Sequence, residues 1–224
     1  MQTHFEKELE SLKEKLLVMA SHVETAVNRA VKSLVERDDE LAREVRGNDN
    51  VIDQFEIDVD EMSINLLAKA PLASHLRLIT VAMKISHELE RVADEATTIS
   101  RRAIKLNHEA PLKLDADIPA MADKALKLLK DALDSFVSQD SANARAIIPR
   151  DKEIDKIHKE LQKTLAAHMT GHPEAVARCL HLLVVAKSLE RIADHATNIA
   201  EEVVYLCEAQ DIRHTLQATS ADVK

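Results

Sequence analysis

Four short acidic pairs offer this chain its clearest chemistry. Asp49/Asp53, Glu90/Asp94, Asp151/Asp155 and Glu190/Asp194 each set two carboxylates four positions apart. On a helix, both members of such a pair project from one face, about one turn apart. Two of the pairs sit in near-identical stretches, Leu89-Glu90-Arg91-Val92-Ala93-Asp94 and Leu189-Glu190-Arg191-Ile192-Ala193-Asp194, 100 positions apart. Val92/Ile192, Ala96/Ala196 and Ile99/Ile199 lie close to the same face and turn it partly inward. Carboxylates held among apolar side chains are costly unless something positive neutralises them. Oxygen-rich sites suit Mg²⁺, Ca²⁺, Mn²⁺ or iron, and carboxylates can bridge two or more ions. Arg91 and Arg191 are the competing neutralisers, and a layer of salt bridges across the helices is the alternative to metal.

The elements that must position these acids are helices. The 224 residues include only 2 Gly and 5 Pro, with 2% aromatic, 31% charged and 46% hydrophobic residues, a balance that favours amphipathic helices over strands. An all-α fold is expected. A net charge of -9 argues against phosphate-neutralising nucleic-acid binding and against a basic membrane-surface helix. No apolar run approaches the ~18 residues a bilayer span requires. The opening residues, Met1 to Glu6, show no basic patch followed by an apolar stretch, so no secretory signal is expected. Cys179 and Cys207 are too few for a disulfide framework or a cysteine zinc site and are expected to pack as small apolar residues in a reducing, cytoplasmic setting.

Apolar spacing predicts six long helices. The first runs from Phe5 to about Glu36. Asp38 or Asp39 caps the second, which continues from about Glu40 through Gly47 to Ala70 and is ended by Pro71. Ser74 is the expected N-cap of the third, which reaches about Asn107. The connector around Pro111 and Lys113 to Pro119 separates two halves, residues 1–110 and 115–214, followed by a polar, disordered tail over 215–224. The fourth helix carries Met121, Ala125, Leu128, Ala132 and Phe136. The fifth runs from Ser141 to a C′ glycine at Gly171, with a kink or restart at Pro149. The sixth opens at His172-Pro173 and continues to about Ala209. The two halves are a tandem repeat of three-helix bundles.

Rise per residue then brings the acids level. In the first hairpin the centres of the two pairs, residues 51 and 92, lie about 21 and about 20 residues either side of a turn at 72. In the second, residues 153 and 192 lie about 19 and about 20 either side of a turn near 172. Each half therefore gathers four carboxylates, which repel strongly unless a cation sits among them.

Other candidates are weaker. His87 precedes the first motif, but its counterpart is Lys187, which argues against a ligand role shared by both halves. His158, three positions after Asp155, could add a ligand but reads first as an ordinary surface histidine; its counterpart is Glu56. Met19, Met62, Met83 and Met121 read as core. With two glycines, neither a phosphate-cradling loop nor a dinucleotide fingerprint can form.

The doubled Leu-Glu-Arg-(Val/Ile)-Ala-Asp stretch, its upstream Asp-x-x-x-Asp partners and the late segment Val204 to His214 resemble the PhoU family, over nearly the whole chain. The resemblance implies two three-helix repeats in a cytoplasmic protein that commonly forms a homodimer. It also implies metal ions (Fe, Mn, Mg or Zn) held by the family's acidic motifs at Asp49, Asp53, Glu90, Asp94, Asp151, Asp155, Glu190 and Asp194. Ala93 and Ala193 depart from the family, which often has glycine there. The implied role is negative regulation of phosphate homeostasis, through the ATPase subunit of the phosphate ABC transporter and a phosphate-responsive sensor histidine kinase, with the membrane reached only through those partners. Two alternatives stand beside this non-enzymatic adaptor. One is a ferritin-like di-metal enzyme, a class that uses Glu-x-x-His on two helices, a motif absent here. The other is a purely structural helical scaffold.

Overall fold

The computed structural model describes residues 4–70, 72–112 and 117–213. The helix-ending role expected of Pro71, most of the connector beginning at Lys113 and the tail over 215–224 fall outside the described residues. Within them the chain is helical and contains no strand.

Among the described residues eight α-helices form in chain order: α1 (His4–Val35), α2 (Asp39–Gly47), α3 (Asp49–Leu67), α4 (Ala73–Asn107), α5 (Ile118–Ser138), α6 (Ser141–Ile147), α7 (Asp151–Gly171) and α8 (Val176–Glu208). α1, α3 and α4 pack as one bundle and α5, α7 and α8 as the other, with α2 lying on α1 and α4 and α6 on α8. The two longest helices, α4 and α8, are the central members, and they pack against each other. Leu12, Leu16, Met19 and Val23 of α1 and Ile85, Leu89 and Ile99 of α4 belong with Leu128, Leu129 and Phe136 of α5 and Leu189, Ile192 and Ile199 of α8 to one continuous apolar core.

Local chemistry sets the boundaries. Asp38 caps α2, accepting from the amides of Glu40 and Leu41 at 3.0 Å each. Asp117 and Asp140 cap α5 and α6 in the same manner. Ser74 does not cap α4. The helix begins at Ala73, Leu72 takes the extended N-cap conformation, and Ser74 falls inside the first turn. Gly171 is the last residue of α7, not a left-handed C′ glycine, since no described glycine has positive φ. Pro173 heads a short 3₁₀ turn over Pro173–Ala175 before α8 starts.

The expected second helix is not continuous. It breaks at Asn48, where φ -94° and ψ 2° leave the helical region and the amide is shared between the carbonyls of Glu44 and Val45. Gly47 next to it is a weak helix former. The fifth helix breaks at the corresponding place, through a 3₁₀ turn over Ile148–Arg150 that contains Pro149. Both breaks end one residue before a motif acid, so Asp49 and Asp151 each open a new helix.

Candidate metal centres

The restarts aim the first turns of α3 and α7 at the central helices, and the acids converge there. In the first half, Asp49 is half-buried, accepts from the Thr97 hydroxyl at 3.2 Å, and feels the negative charge of Asp53 and Asp94. Burial, reinforced by those two neighbours, raises its carboxyl above the ordinary range. Glu90 is raised as well, by burial first and then by Asp94, with Glu56 adding to it. Asp53 is exposed. Arg91 stays on its own helix, with Nε 3.0 Å from Glu90 and Nη1 3.0 Å from Asp94.

In the second half Asp151 feels all three of the other motif acids. Asp151 is pushed up to about 6, by burial first and then by the charges of Asp194, Asp155 and Glu190. Asp194 is raised by burial and by Glu190. Glu190 is buried and accepts a hydrogen bond from the Lys187 ammonium one turn back on α8. Asp155 is paired at 3.6 Å with the exposed Lys159 of its own helix.

Arg191 does not reach across its own hairpin. It crosses to the other half and donates to the buried Glu95 at 3.1 Å. There it joins two further links between α4 and α8, His195 with Glu88 at 2.6 Å and Lys84 with the buried Glu202 at 2.9 Å. Burial pushes the Glu88 carboxyl up, but hydrogen bonds from His195 and Asn198 outweigh it and hold the group below its ordinary value. Arg91, Asp94, Glu95 and Arg101 of α4 and Arg191 and Asp194 of α8 line a polar cleft of about 600 Å³ between the halves.

Do these residues fit a cation? Asp151 Oδ1 and Glu90 Oε2 are closed to solvent and have no hydrogen-bond partner; Arg91 Nε approaches Glu90 Oε2 but misses hydrogen-bond geometry. A stranded carboxylate oxygen of this kind costs about 1–3 kcal/mol or more. Oxygen donors from the first turn of one helix and the middle of its neighbour are the chemistry that Mg²⁺, Mn²⁺ or Fe²⁺ selects. The acids of the second half, whose arginine is spent elsewhere, therefore fit a metal ion, while in the first half Arg91 is paired with Glu90 and Asp94.

Two histidines depart from their sequence reading. His158 is not a surface residue: it is 6% exposed, and its Nε2 has no partner. Burial lowers its pKa and favours the neutral ring. His87 Nδ1 lies 3.1 Å from Glu56 Oε1, and Glu56, His87 and Glu90 bring ligand atoms within 4.8 Å of one another. The signal lies in His-x-x-Glu on α4 and in the repeat offset that sets Glu56 against His158, and the mismatch between the halves masks it. Cys207 likewise is exposed, its thiol donating to the Gln139 carbonyl, whereas Cys179 is buried as expected.

The fold and these centres define a class, a tandem helical-bundle protein carrying one carboxylate centre per bundle. The chain belongs to the PhoU family, the PhoU domain matching residues 16–103 and again 118–203. It is 40% identical over 223 residues to a protein of Pseudomonas putida named phosphate-specific transport system accessory protein PhoU homolog, covering 98% of this chain and 87% of that one. An Aquifex aeolicus protein of the same name is 38% identical over 93% of this chain and 95% of its own length. The crystal structure of PhoU from Pseudomonas aeruginosa superposes with a TM-score of 0.88 at 38% identity, over 92% of this chain and 100% of that one. The phosphate transport system regulatory protein PhoU from Streptococcus pneumoniae gives 0.87 at 27% identity, over 93% and 99%.

Proposed function

We propose that the chain is a non-catalytic accessory regulator of phosphate-specific transport, working in the cytoplasm as a homodimer. In this reading it restrains the phosphate ABC transporter through its ATPase subunit and holds a phosphate-responsive sensor kinase in its inhibitory state. Asp49, Asp53, Glu90 and Asp94 hold metal in the first bundle, and Asp151, Asp155, Glu190 and Asp194 in the second. The family match and the relatives' names support the transport role. The single observation that carries the metal reading is the stranded, half-buried Asp151 carboxyl beside three more acids.

The chain's own residues have defined tasks in this role. α7 and α8 meet through Asp151 and Asp155 on one side and Glu190 and Asp194 on the other, so neutralising these four fixes the spacing of the two helices. Bound cations supply charge neutralisation and a rigid link between facing carboxylates. No described helix is long and apolar enough to cross a membrane, which suits contact with a transporter through a protein partner.

Deleting the gene tests the regulatory claim. Alkaline phosphatase output should rise in phosphate-rich medium, and the full chain should co-purify with the transporter ATPase. Unchanged output with no co-purification would remove the assignment.

A further inference from the structure

α3 and α7 hold the same place in the two repeats, yet their outward faces differ. α3 carries Asp49, Asp53, Glu56, Asp58, Asp60 and Glu61 and no lysine, arginine or histidine. α7 balances its four acids with Lys152, Lys156, Lys159 and Lys163. These lysines are all exposed and follow at steps of four, three and four, so they form one stripe along the helix. At the repeat offset the same stripe on α3 reads Asn50, Gln54, Ile57 and Glu61, and Ile64 extends it. Ile57 is 51% exposed, and Ile64, at 62%, is the most exposed large apolar side chain among the described residues. One such isoleucine is ordinary; two at a seven-residue step on one acidic helix face mark a surface suited to a partner.

We propose that this partner is a second copy of the chain, with α3 of one protomer lying along α7 of the other. The complementary stripe is already present on α7. Asp60 and Glu61 have no ion pair among the described residues, and of the four lysines only Lys159 has one, with Asp155 at 3.6 Å. Lysine stems pack along apolar side chains while their ammonium ends reach acids to either side, so one stripe answers both parts of the other. Pairing α3 with α3 would instead set like charges together. The two helices match in length, at 19 and 21 residues, or about 28 and about 32 Å. Under a two-fold axis the contact is made twice, α3 on α7 and α7 on α3, and the pair closes. Two contacts of that length and about 10 Å width bury roughly 1,100 Å² in all, near the lower bound for a specific pair. The inference rests on the homodimer reading above and names the surfaces that form it.

The test is analytical sedimentation of the full chain over a range of concentrations, with I57K, E61K and K156E/K163E beside the wild type. Wild type should be a dimer that weakens by at least about tenfold between about 0.05 and about 0.5 M salt. Each variant should dissociate at least about tenfold more readily, with a melting temperature close to that of wild type because the changed side chains are exposed. Mixing E61K with K156E/K163E should restore a pair, since the two reversed helices then meet at one contact and the two original helices at the other. A wild-type dimer that all three variants leave intact would overturn the assignment and leave the homodimer standing, and a mixture that fails to pair would overturn it equally. A chain that stays monomeric throughout would overturn both; loss of the transporter ATPase subunit by I57K in that case would give the α3 face to that protein instead.

Discussion

Asp151 carries the sharpest consequence at the scale of a residue. Its carboxyl sits at about 6 against an ordinary 3.8, with burial as the first cause and three acids as the next. The folded chain therefore keeps a proton that the unfolded chain has already lost. Stability from this group is full below about pH 4 and is lost as pH rises through about 6. Linkage sets an upper limit of about 3 kcal/mol on the loss, and solvent screening of a half-buried group brings it nearer 1–2 kcal/mol. Metal-free D151N should accordingly be more stable than wild type near pH 7, by roughly that amount, with the advantage vanishing near pH 4. Chemical denaturation of both proteins at the two pH values measures it; a pH-independent difference would show that the carboxyl is not held protonated. The same asparagine should weaken metal binding in the second half, because it removes a charge and leaves a poorer oxygen donor.

Among the elements, the two interrupted helices show how far periodicity reaches. The apolar spacing of Leu9 to Ala30, and of Met121 to Phe136, was enough to place α1 and α5, since buried stripes at three- and four-residue steps leave little choice. Rise per residue alone set Asp151 near Glu190 and Asp194, whose charges it feels. The break at Asn48 did not follow, because Gly47 in a helix costs only about 1 kcal/mol and tertiary packing decides whether it is tolerated. Pro149 announced its own break by lacking an amide hydrogen. Ser74 misled because capping preference acts only where the chain enters the helix, and Leu72 already supplies the extended residue. His158 misled for a different reason: it stands between Ile154 and Leu161 on the buried stripe of α7, where the spacing carried the signal and the polarity of the side chain masked it. Gly47 offers a test at this scale. A Cβ there would meet nothing within 4 Å, and its φ is not positive. Gly47→Ala should therefore stabilise the protein by about 0.5–1 kcal/mol, seen as a rise in melting temperature of roughly 2–4 °C. A fall would mean that the α2–α3 break needs glycine's freedom.

For the whole molecule, α4 and α8 make the two bundles one body. A single apolar core passes through both, and Arg191–Glu95, His195–Glu88 and Lys84–Glu202 tie the same helices together at its polar edge. One acidic pair of each centre lies on these two helices, Glu90/Asp94 on α4 and Glu190/Asp194 on α8, so the charge state of each centre bears on the contact between the halves. Cations that bind only the folded chain must stabilise it by mass action. The most direct measurement is the melting temperature of chelator-treated full-length protein near pH 7, with and without Mn²⁺ at about a hundredfold its dissociation constant. Stabilisation of about 2.7 kcal/mol is expected, a rise of roughly 5–10 °C, and it should shrink in D151N. A melting temperature that Mn²⁺, Fe²⁺ and Zn²⁺ all leave unchanged would contradict the claim that these carboxylates are built to hold metal.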